Sequence, residues 1–98
     1  MNALLQKIRA TPGLFLGKVS AVRLDQFLNG YSYRCFEESG YGHCLYPRGF
    51  VEYLAYRFEM HTRSASDITL NLCSGDDEKA FFMLFELIDE FLEHNQAN

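Results

Sequence analysis

The stretch "SASDITLNLC", Ser64 to Cys73, decides the fold class of this 98-residue chain. Ile68, Leu70 and Leu72 alternate with polar residues and Ile and Thr are β-branched, which suits a strand. Ser64-Ala-Ser-Asp67 ahead of them resembles a helix capping box with Asp in place of the usual Glu. A lone strand leaves its backbone N–H and C=O groups unpaired, and no other segment alternates well enough to partner it. We therefore read residues 66–73 as part of a short helix, with a strand as the alternative, and expect an all-α fold.

The flanking segments fit that choice. Leu4, Leu5 and Ile8 recur at helical spacing and are stopped by Thr11-Pro12-Gly13, because proline disfavours α geometry in the residue before it. Leu14, Phe15 and Leu16 form an apolar connector ended by Gly17. Ser20 is an N-cap for a helix to about residue 38 with the stripe Leu24, Phe27, Leu28, Tyr31 and Cys35. "SGYGHCLYP", Ser39 to Pro47, is the longest irregular stretch, and Pro47 opens a helix carrying Phe50, Val51, Leu54 and Phe58. The clearest element runs from Asp77 to about His94, with Phe81, Leu84, Phe85, Ile88 and Leu92 as its core stripe and acids in its first turn. The expectation is a single-domain, compact bundle of four to five helices spanning residues 1–98.

Composition narrows the function classes. Apolar residues make up 48% and charged residues 22%, the balance of a globular chain rather than a disordered one. No run reaches the roughly 18 apolar residues of a membrane span, and charges interrupt the N-terminal segment, so a cytoplasmic protein is expected. Cys35, Cys44 and Cys73 are odd in number and lack C-x-x-C spacing, which suits free thiols in a reducing compartment. Residues 1–63 carry eight Lys or Arg against five acids, and residues 64–98 one Lys against eight acids. A net −7 in the second part argues against nucleic-acid binding and for a basic partner.

The candidate chemistry is sparse. "RATPGLFLG" resembles the Arg-Pro-Gly-Met-Tyr-Ile-Gly segment of the gyrase B type ATPases. Where that family has its catalytic Glu and magnesium-binding Asn this chain has "VRLDQFLNGY", and no Asp-x-Gly-x-Gly follows, so the helix-stop reading stands. His43-Cys44 could be half of a nucleophilic dyad, but His61 and His94 are the only other histidines to serve it, and no Cys or His pair has metal-ligand spacing. The six tyrosines lack the gathered positive groove of a stacking platform, since Arg34, Arg48, Arg57 and Arg63 are spread over two helices. We expect no catalysis, no metal and no cofactor.

The strongest constellation is Glu86, Asp89, Glu90 and Glu93, spaced i, i+3, i+4 and i+7 and so confined to one face of the last helix, with Phe82 projecting within it. A wet charged face is the ordinary explanation. Against it, no Lys or Arg follows Lys79 in the helix, and Asp76 to Glu78 add to a surface of one sign that steers a basic partner. Glu52, Tyr53, Tyr56 and Glu59, largely at the sides of the helix that Pro47 opens, form a second candidate patch.

Taken together, "LLQKIRATPGLFLGKVSAVRLDQFLNGY", "FVEYLAYRF" and the ending "DDEKAFFMLFELIDEFL" resemble a group of small bacterial proteins encoded beside toxin genes, the immunity proteins of contact-dependent growth inhibition and related polymorphic toxin systems. The resemblance spans most of the chain and rests on hydrophobic and turn residues rather than on an active-site motif. It implies a protein that binds one cognate toxin, a basic nuclease domain, and blocks it by stoichiometric occlusion. Two other classes fit the same residues: a regulatory or adaptor protein that binds another basic protein, and a small ligand-binding or enzymatic bundle built around His43, Cys44 and a tyrosine.

Overall fold

A computed structural model of the protein describes residues 3–39, 46–61 and 64–96. Among them the fold is all-α: α1 (Ala3–Ala10), α2 (Pro12–Leu16), α3 (Ala21–Ser39), α4 (Phe50–Arg57), α5 (Ala65–Leu72) and α6 (Asp77–Gln96). The apolar connector is itself a helical turn, which makes six helices of the expected four to five. Pro12 sits at its start, Gly17 closes it in the left-handed conformation at φ 81°, and a Cβ on Gly17 would lie 2.8 Å from Nη1 of Arg23. Leu16 turns into the core, whereas Leu14 stays 81% exposed.

The segment that decided the fold class is helix α5. Ser64 is its N-cap, its Oγ accepting from the Asp67 N–H at 3.3 Å, as the capping-box reading expects. Ala65, Ser66, Ile68 and Thr69 are buried, a helical set, while Leu72 is half exposed where strand alternation would have grouped it with Ile68. The β-branched Thr69 fits because its hydroxyl donates back to the Ala65 carbonyl at 2.9 Å, satisfying itself without leaving the helix.

Helix α4 begins later than the sequence suggests. Pro47 belongs to the preceding turn, its carbonyl accepting from Phe50 N–H at 3.0 Å, and Gly49 at φ 83° separates that turn from the helix. Phe50 and Leu54 enter the core, with Val51 and Phe58 half-buried beside them.

The core is one cluster running from Leu5 and Ile8 through Leu24, Leu28, Phe50, Leu54 and Ile68 to the inner side of α6. That side consists of Ala80, Phe81, Leu84, Phe85, Leu87 and Ile88, with the expected Leu92 half-buried. Helices α5 and α6 pack on one another, and α3 lies against both. The α3 stripe is only partly core. Leu24 and Leu28 are buried, but Phe27 and Tyr31 run along the rim, where Phe27 meets Phe15 of α2 edge-on at 6.1 Å and stacks on Tyr31 at 6.3 Å.

Two carboxylates lock the helices together at their N-termini. Asp77, in the first turn of α6, accepts from the Ser20 hydroxyl and, at 3.1 Å, from the Val22 N–H of α3. Ser20 in turn caps α3 through the Arg23 N–H at 3.0 Å, as its N-cap assignment expects. Asp25 of α3 holds the start of α5, accepting from the Ser66 N–H at 2.8 Å and the Ser64 hydroxyl at 3.0 Å, and it also accepts from the Tyr46 hydroxyl. Among the described residues no buried side-chain polar atom is left without a partner, and no helix is long and apolar enough to cross a membrane.

Candidate protein-binding face

Twenty residues of α6 present one side to the core and the other to solvent. Phe81 and Phe82 show the division. Phe81 is fully buried against Phe85 at 5.0 Å, whereas its neighbour Phe82 is 52% exposed and touches Phe81 only edge-on, at 5.4 Å. Glu86, Asp89, Glu90 and Glu93 are all exposed on the outward side with it.

The four carboxylates are not equivalent. Asp89 accepts from Nη1 of Arg9 at 2.8 Å, and that guanidinium also lies 5.4 Å from the Phe85 ring centre. Glu90 accepts from Nη1 of Arg57 at 3.3 Å. Hydrogen bonds to Glu90 and then to Tyr53 raise the Arg57 pKa above its already high ordinary value, so this guanidinium stays charged. Glu86 and Glu93 form no ion pair with any described residue. The absence of a cation later in α6 therefore does not leave the whole row unneutralised: α1 and α4 each supply an arginine to its middle.

The first-turn acids also separate. Asp76 accepts from the Lys79 N–H at 3.1 Å and so caps its own helix. Asp77 faces inward to α3. Burial works to raise its pKa, but hydrogen bonds from Ser20, Val22 and Ala21 and the charge of Lys18 outweigh that, and the carboxyl sits below its ordinary value. Asp77 is half-buried and no part of an outward acidic surface, which corrects its inclusion there. Glu78 stays exposed.

The second patch divides likewise. Tyr53 is half-buried against Phe91 at 5.1 Å, and its hydroxyl accepts from Arg57 at 3.1 Å. Glu52 and Tyr56 are exposed one turn apart on α4, Tyr56 to 87%. Glu59 lies past the helix end, exposed and in the left-handed conformation at φ 54°. Arg57, bonded to both Tyr53 and Glu90, joins this patch to the α6 face.

The features of an enzyme or ligand site are thinner. His43 and Cys44 lie outside the described residues, as do residues 40–45 of the irregular stretch that holds them. Cys73 is a half-buried free thiol whose Sγ lies 3.6 Å from Sδ of Met83. Among the described residues no group of three His, Cys, Asp or Glu is placed to hold a metal ion. Hollows lined by described residues are shallow and open, among them one of about 610 Å³ beside Tyr56, Met60 and His61, one of about 440 Å³ bordered by Phe15, Arg23, Gln26 and Phe27, and one of about 320 Å³ beside Gln6 and Arg9.

Sequence reasoning missed Asp25, Arg9 and Arg57. The ion pairs of Arg9 and Arg57 carry no local signal, since each arginine meets its carboxylate from a different helix. Asp25 sits between core positions of α3, and only the docking of α5 onto its side chain reveals its use. No protein-family model, curated protein or solved structure matches the chain.

Proposed function

We infer that the protein binds a basic protein partner through the outward face of α6 and, following the resemblance of its sequence to contact-dependent growth inhibition immunity proteins, that this partner is a cognate nuclease toxin neutralised in the cytoplasm. The observation that carries the reading is Phe82, half exposed in a row where Glu86 and Glu93 pair with no cation among the described residues. An exposed aromatic ring supplies contact area that gains from losing water, and unpaired carboxylates beside it raise the encounter rate with a cationic surface and select against acidic ones. A nuclease cleft is basic because it holds phosphates, so the same complementarity allows occlusion of the cleft without any chemistry by the inhibitor. Glu52 and Tyr56, joined to this face through Arg57, extend the contact.

The test is titration of the protein into the purified product of the adjacent gene. Nuclease activity of that product should fall to background at a one-to-one ratio and return as salt weakens the complex. An active nuclease at saturating inhibitor, or an adjacent product with no affinity for this chain, contradicts the reading.

A further inference from the structure

The rim of α2 and α3 is a second surface of unlike character. Phe15 and Phe27 stand edge to face, Tyr31 stacks on Phe27 and is 44% exposed, and Leu14 beside them is 81% exposed. These side chains are held in place. The Gly17 cap and a hydrogen bond of 2.8 Å from Nη1 of Arg23 to the Leu16 carbonyl fix the end of α2 against α3. Bordering this ring pair lies the open hollow of about 440 Å³, with Leu16, Arg23 and Gln26 on its wall and no acid among its lining residues. Exposed apolar edges at Leu14, Phe27 and Tyr31 beside the Arg23 guanidinium suit an apolar side chain carried next to a carboxylate.

The chain displays that combination itself. On α6, Phe82 projects one turn from Glu78 and one turn from Glu86, all exposed. We propose that this face of one copy seats on the α2–α3 rim of a second copy, with Phe82 against the outer edges of Phe27 and Tyr31 and Glu86 against the Arg23 guanidinium, four of whose five N–H groups are not used on Leu16. Lys18 adds positive charge at the same end of the molecule, although part of it is spent on Asp77. The charge division along the chain, with its acidic excess in residues 64–98, favours such contact between unlike faces over contact between like ones. Because the two patches are different, the association is heterologous: it extends from copy to copy or closes into a ring. It does not require a cognate partner, and it covers the Phe82 face, so self-association and partner binding compete.

Sedimentation velocity over a concentration series in low salt tests this. The expected result is a mass that rises with concentration and falls back to the monomer at high salt. Arg23→Glu and Phe82→Asp should each weaken association at least about ten-fold. Mixing the two variants should give a one-to-one dimer that grows no further, since one retains an intact α6 face and the other an intact rim. Gln26→Glu places an acid in the hollow without removing any hydrogen bond of Arg23, and it should weaken association in the same direction should Arg23→Glu loosen the end of α2. A monomer at every concentration, association indifferent to Phe82→Asp and Gln26→Glu, or a variant mixture that stays monomeric overturns the proposal.

Discussion

The carboxylates at the start of α6 and α3 and those on the outward side of α6 are the same chemical group put to opposite uses. Asp77 and Asp25 each accept several hydrogen bonds from the N-terminal turn of a different helix, where orphan N–H groups and the helix dipole favour a negative charge. Glu86 and Glu93 accept none from the described residues and face water. Asp89 and Glu90 stand between these extremes, each held by one exposed arginine. The difference teaches that a run of acids is read by what surrounds it: at a helix junction it holds the fold, and along an open helix face it is free to meet a partner.

Adjacent phenylalanines give the largest test of that division. Phe81→Ala should cost about 3–5 kcal/mol in urea unfolding, because a fully buried ring leaves a cavity, whereas Phe82→Ala should stay within about 1 kcal/mol. Equal costs at the two positions would mean that α6 does not divide as described. Next comes the junction: Asp77→Ala and Asp25→Ala should each cost about 1–2 kcal/mol as caps lost from a second helix, and a change under a few tenths at both would show that the interlock contributes nothing.

The Asp77 effect has a definite pH dependence. Its folded pKa lies below its ordinary value, so its contribution is fully present above about pH 5 and is lost as pH falls through the lowered folded value. The stability gap between wild type and Asp77→Ala should therefore be constant near neutrality and shrink in acid below about pH 4. A gap that widens in acid contradicts the assignment. The smallest effect belongs to the two surface pairs. Arg9→Met and Arg57→Met should each change stability by no more than about 1 kcal/mol, and by less at high salt, since exposed ion pairs gain little.

Much of this architecture was legible in the residues. The Ser20 and Ser64 caps, the Pro12 stop and the α6 stripe all depend on interactions within about one helical turn, and sequence spacing reports those directly. Helix α5 was legible only through its cap and the lack of a partner strand, because the alternation of Ile68, Leu70 and Leu72 suits a strand equally well; the back-bonded Thr69 hydroxyl shows in three dimensions how the helix accommodates it. What spacing could not report is contact between helices. Asp77 looks like one of three outward first-turn acids and turns inward to α3, Phe27 and Tyr31 look like core and line a rim, and the α6 acids look unneutralised until Arg9 and Arg57 arrive from elsewhere. The candidate face was visible as a row of charges, but which members are free was not.

The most direct measurement pairs stability with affinity in one variant, Glu86→Lys/Glu93→Lys. Urea unfolding should match wild type within about 0.5 kcal/mol, while affinity for the basic product of the adjacent gene should fall roughly 10- to 100-fold and lose most of its salt dependence. Unchanged affinity and salt dependence would contradict the account, leaving the outward row of α6 an ordinary solvated face.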